Sequence, residues 1–260
     1  MNRRFSMLDA LIRSFWFEKV NNLGEQYLQK QNEENKIFEF IQQFQNGNFE
    51  QKKDFCNYFL SSPDRRVFTV GMRLFMAIAG HEDFRLLENF LSNCDEEQIR
   101  TFLAFVQESL SLHAIPYLLA LFEDWEETYV GNDIARCICA MLGQRYYEDE
   151  EYNLNQLGDM FTSFSTKNSL ELFYYKGEKY YPGNLTKTII EIAINCYKSG
   201  TEFYTDQMPS ILSNSSGIKC PVSYGKKIDG EIIKELYEYV ATISNMEWEI
   251  GGKSFYKHKI

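Results

Sequence analysis

The chain has 260 residues, of which 44% are hydrophobic and 25% charged, with a net charge of −10. That length suffices for one large or two small domains, and no apolar run approaches the ~20 residues a membrane span needs. The charge is uneven: residues 81–151 hold 16 acidic against 4 basic side chains, residues 1–80 are net +2, and residues 152–260 balance. A field of this sign repels nucleic acid and favours a basic protein partner.

The opening, MNRRFSMLDALIRSFWFEKV, is basic at its start, but Asp9 and Arg13 interrupt its apolar part and no small-residue cleavage site follows. It reads as an amphipathic first helix over 5–28 rather than a signal peptide. A second helix is expected over 33–45, its buried stripe marked by Ile37, Phe40, Ile41 and Phe44. Asn46-Gly47-Asn48 makes a turn, and 49–60 begins the first of several helical hairpins.

Three helix starts then recur at a common spacing. Pro63-Asp64 opens one helix, Asp95-Glu96-Glu97-Gln98 the next, and Glu126-Glu127 leads into the third. Asp64 and Asp95 are 31 residues apart, and Asp95 and Glu127 are 32. A stacked two-helix unit needs about this length, because one hairpin cannot bury its own apolar face. Ile99, Phe102, Leu103 and Val106 keep the helical i, i+3, i+4, i+7 spacing, as do Ile115, Leu118, Leu119 and Phe122. Asp95 with Gln98 fits a capping box, and Pro116 fits a first helical turn. The stretch AIPYLLALFEDWEETYVGNDIARCICAMLG resembles a HEAT-like unit. It opens near a proline, turns through acidic residues and ends in the small Ala135, Cys137, Cys139 and Ala140. An ordinary helical bundle without true repeats is the alternative.

YYEDEEYN, 146–153, is the expected boundary between a repeat region, 1–145, and a mostly helical C-terminal region, 146–260, packed on it as one unit. In the latter, LELFYYKGEKYYP over 170–182 predicts a β-hairpin turning at Lys176-Gly177. Asn184 is the expected cap of a helix ending at Gly200, 201–228 reads as loop, and Asp229 caps a further helix. Two β-prone runs around Gly251-Gly252 close the chain. The fold class is therefore mainly all-α: HEAT-like hairpins followed by a mostly helical part with minor β-hairpins.

Little here points to chemistry. His81, His113 and His258 have no metal-ligand spacing, and no phosphate loop or nucleophile elbow is present. No catalytic residue, metal or cofactor is assigned. The six scattered cysteines form no C-x-x-C pair and read as free thiols of a reducing cytoplasm. Cys220-Pro221 is a reactive thiol or, the blander reading, a packed turn residue. Two surfaces are candidates for partner binding. In a stack of hairpins the turns lie along one edge, so Asp95, Glu96, Glu97, Glu123, Asp124, Glu126 and Glu127 form a ridge, with Trp125 among them. Helix capping accounts for two or three of these acids, and a merely solvated edge is the alternative for the rest. The second surface is Tyr174, Tyr175 and Tyr181, since tyrosine is large, rigid and amphipathic. Packing inside a small hairpin is its alternative.

LELFYYKGEKYYPGNLTKTI, SGIKCPVSYGKKI and WEIGGKSFYKHKI, with the helical front, resemble an all-α family of immunity proteins from bacterial polymorphic toxin systems. The resemblance implies a non-enzymatic cytoplasmic protein that binds and neutralises one cognate toxin, often a nuclease and commonly basic. It implies no nucleic-acid or membrane partner, and it leaves the oligomeric state open. The alternative is a general HEAT-like adaptor recruiting a basic cytoplasmic protein.

Overall fold

The computed structural model describes residues 32–205 and 207–260. The expected helix 5–28 lies outside the described residues. The rest is mainly helical, with two tiny antiparallel hairpins among the described residues. In chain order the first helices are α1 (Asn32–Gln45), α2 (Lys52–Leu60) and α3 (Arg65–Ile78). A 3-10 run (His81–Leu87) leads into the one-turn α4 (Glu88–Leu91) and then α5 (Glu96–Phe105). Further 3-10 turns, Val106–Ser109 and Leu112–Ala114, precede α6 (Ile115–Trp125) and α7 (Tyr129–Met141). Three regular helix pairs are expected over 49–143. In the middle pair, a 3-10 run and a single α-turn replace the first helix.

The local causes are mostly those in the sequence. The Asp64 side chain accepts from the Arg66 backbone N–H at 2.8 Å and starts α3. Asp95 and Gln98 make the reciprocal capping box of α5. At α7, however, Thr128 is the cap, accepting from Val130 and Gly131 at 3.1 and 3.2 Å. The preceding Glu126-Glu127 is the turn. Side-chain contacts recur at separations near the period. Lys52 meets Asp83, Arg73 meets Glu108, His81 meets Ser111, and Gln107 meets Cys137, at separations of 30–35 residues. The helices α3, α5 and α7 stand side by side and parallel.

Beyond α8 (Leu154–Ser165), which packs on α6 and α7, comes the hairpin β1 (Tyr174–Tyr175) and β2 (Glu178–Lys179). Its turn residues Lys176 and Gly177 both have positive φ. Next comes α9 (Pro182–Ser199). It starts two residues before the expected Asn184, because Pro182 already supplies a helical φ at its first turn. The reading of 201–228 as loop is corrected by α10 (Gln207–Ser216), which is buried along Met208–Ser216. The helix α11 (Gly230–Ser244) is capped by Asp229 as expected. The last hairpin, β3 (Ser254–Phe255) and β4 (His258–Lys259), turns at Tyr256-Lys257, not at Gly251-Gly252.

Two hydrophobic cores result among the described residues. One spans α1 to α8 and takes in Tyr174 and Phe255. The other joins α9, α10 and α11 with Phe173, Tyr180 and Leu110. They meet at a buried polar seam. Arg73 and Glu108 form an ion pair at 2.8 Å, and Ser210 donates to the same carboxylate at 2.9 Å.

Candidate partner-binding face

The helix α7 sets out this face. At its start lies the acidic turn, at its end the first hairpin, and its 13 residues span about 20 Å. The turn is tight: the Thr128 N–H and hydroxyl both donate to Trp125 O, at 2.9 and 2.7 Å. A Cβ on Gly131 would come within 2.4 Å of that same carbonyl. The acids are therefore carried on a fixed turn.

The seven carboxylates lie in two turns and differ in state. Asp95 is spent on its cap. Glu96 pairs with Arg100 at 3.1 Å, and Glu97 pairs with Arg65 from α3. The basic side chains absent from the local sequence thus arrive from neighbouring turns and helices. Glu123, Asp124, Glu126 and Glu127 are exposed, with no basic partner among the described residues. Trp125 is half-buried against the core, and Tyr129 stands 84% exposed beside it. Sequence reasoning passed over Tyr129, although an aromatic at the first position of a capped helix has nowhere to bury itself.

The aromatic candidates divide. Tyr174 is buried, its hydroxyl donating to Ser169 O at 2.8 Å, and it belongs to the core. Tyr175 and Tyr181 are half-buried and line a cavity of about 590 Å³ with Tyr180, Tyr204, Ile192 and Met208. Burial pushes the Tyr175 hydroxyl well above the usual range, so it stays protonated.

Elsewhere the chemistry is quiet. All six cysteines are free. Burial pushes the thiols of Cys56, Cys137 and Cys220 up to about 12 and that of Cys94 to about 11, so none supplies a thiolate nucleophile at neutral pH. The structure does bring two histidines together: the rings of His81 and His113 lie 4.7 Å apart, and His81 stacks on Phe173 at 4.2 Å. The period that stacks successive units explains this, being the 32 residues between them. Among the described residues no group of three or more His, Cys, Asp and Glu is placed to hold a metal ion. No helix there is long and apolar enough to cross a membrane.

The described residues are mainly helical, and their exposed features include a turn rich in carboxylates and an aromatic cavity. A family model described as Immunity protein 47 matches residues 16–260. The chain belongs to that family, which gives it the role of an immunity protein with a toxin as its partner. The chain matches no curated protein and no solved structure.

Proposed function

We propose that this protein neutralises a cognate bacterial toxin in the cytoplasm by direct binding, and that the acidic turn of a HEAT-like stack meets a basic surface of that toxin. Nuclease toxins carry such surfaces because their own substrate is polyanionic. The observation that carries this reading is the set of four exposed carboxylates, Glu123, Asp124, Glu126 and Glu127, which have no basic partner among the described residues and lie in the turn before exposed Tyr129. Helix capping does not need them, since Thr128 already caps α7.

The test is association kinetics with the toxin encoded beside this gene, together with survival on co-expression. The on-rate is expected to fall steeply with salt, because the Debye length shrinks from ~10 Å at 0.1 M to ~3 Å at 1 M. Reversing Glu123, Glu126 and Glu127 to lysine slows association and leaves stability nearly unchanged, exposed charges contributing ~1 kcal/mol or less each. Reversing Asp149, Glu150 and Glu151, which are exposed in the connection after α7, is the control. Equal binding by the two triple variants refutes the ridge as a contact.

A further inference from the structure

A second feature runs along the same helix and is lined by cations as well as by an acid. Between α5 and α7 lies a furrow of about 490 Å³, lined by Leu103, Ala104 and Gln107 on one side and by Cys137 and Ala140 on the other. It exists because two small residues, Ala104 and Ala140, stand where longer side chains of parallel helices would interdigitate. Arg100, Arg136 and Asp133 lie at one end, and Lys176 and Gln207 at the other. Lys176 also lines the 590 Å³ aromatic cavity. The two hollows are thus neighbours across Lys176, the two halves of a trough.

The trough gathers cations on an acidic protein. Its ionisable liners apart from tyrosine and cysteine are Arg100, Arg136, Lys176 and Lys179 against Asp133 and Glu178. Asp133 is shared, lying 3.0 Å from Arg136 and 3.9 Å from Arg100. Their other partners are on the rim: Glu96 at 3.1 Å from Arg100 and Glu148 at 3.7 Å from Arg136. Lys176 has no carboxylate partner among the described residues, and its ammonium sits 5.4 Å from the centre of the Tyr175 ring.

Lys176 also breaks a local rule. It takes the first positive-φ position of a two-residue hairpin turn, φ +50, where Asn, Asp or Gly is favoured. The turn is held rigidly, because Gly177 donates its N–H to Met141 O at the end of α7.

We propose that this trough holds an extended segment of the partner toxin. That segment presents a carboxylate side chain to Lys176 and an apolar side chain to the cavity of Tyr175, Tyr181 and Tyr204. The proposal rests on the immunity reading and adds a second contact of opposite sign to the acidic ridge. A partner matching both signs in register is discriminated more sharply than one matching a single patch.

The experiment measures equilibrium binding of the adjacent-gene toxin to the full chain and to three variants. Lys176→Asn suits the turn better than lysine, so it keeps or raises thermal stability while weakening binding about tenfold. Ala104→Glu, on an exposed position, weakens binding by a similar factor through like-charge repulsion. Ala104→Lys, of comparable bulk, weakens it much less. Wild-type binding with Lys176→Asn and Ala104→Glu both within twofold overturns the trough and leaves the immunity reading standing. Equal losses for Ala104→Glu and Ala104→Lys overturn the acidic occupant. A wild-type chain that neither binds the toxin nor protects against it overturns the immunity reading, and the trough proposal with it.

Discussion

At the scale of single residues, two glycines decide whether the first hairpin can reach the helix it closes. Gly143, φ +68, follows α7, and Gly177, φ +77, completes the hairpin turn. A Cβ on Gly143 would lie 2.4 Å from Lys176 O, and one on Gly177 2.5 Å from Leu142 O. Both contacts are to backbone, which cannot step aside. Gly143→Ala and Gly177→Ala are each expected to lower stability by ~1–3 kcal/mol, combining positive-φ strain with a clash. Gly158, inside α8 with nothing within 4 Å of its would-be Cβ, is the control. There alanine is expected to add ~0.5–1 kcal/mol. Thermal melts of the three variants check the ordering, and a Gly177→Ala chain as stable as wild type refutes the account. The turn at Lys176-Gly177 was legible because glycine punctuates aromatic strands. Its docking onto α7 was not, because the partner carbonyls lie more than thirty residues earlier.

At the scale of elements, helices with local signals were readable and one without them was not. The cap at Asp95, the proline at 116 and the cap at Asp229 act on neighbouring residues, so spacing alone exposed them. The helix α10, QMPSILSNSS, carries Pro209 and four serines, the composition of a turn. It is helical because each serine hydroxyl finds a partner inside. Ser213 accepts from the Cys220 N–H, Ser215 meets the Tyr180 hydroxyl, Ser216 donates to Leu212 O, and Ser210 donates to Glu108. The last contact spans 102 residues, out of reach of any local pattern. Glu108 therefore answers to both α3 and α10. Glu108→Ala leaves Arg73 buried without its counter-charge and is expected to cost ~3–5 kcal/mol. The double change Arg73→Met with Glu108→Leu removes both charges and is expected to recover much of that loss. Urea midpoints measure both, and a double variant as unstable as the single one refutes the ion-pair explanation.

At the scale of the whole molecule, the last residues fasten the two cores, and they do so around bases held in unfavourable surroundings. Gly251 exchanges backbone bonds with Phe173 and Tyr180. Tyr256 and Lys257 donate to Asn214 O and Ser215 O at the end of α10. The Lys253 ammonium donates to Met76 O and Ala79 O at the end of α3, each at 2.8 Å. Burial holds Lys253 well below the usual lysine value, with Lys52 pushing the same way and Asp83 and Glu108 opposing. Phe173 lies between this ammonium, 5.6 Å away, and the stacked ring of His81. Burial lowers the His81 pKa, the neighbouring His113 lowers it further and Lys253 adds to the effect, while Glu171 acts in the other direction. A histidine whose folded pKa lies below its unfolded value of 6.5 binds fewer protons folded than unfolded. Its contribution is then complete above pH 6.5 and is lost as the pH falls from there towards the folded value. Asp64, whose carboxyl the Arg66 side chain holds below its ordinary value, loses its share only below about pH 4. Lys253, lowered in the same way, loses its contribution as the pH falls from 10.5 towards its folded value, and His81 adds a decline in thermal stability between pH 6.5 and 5. His81→Gln, which cannot take up the proton, should flatten that decline while the step below pH 4 remains. Equal slopes for wild type and His81→Gln across pH 6.5 to 5 would show that the seam between the cores does not sense this proton.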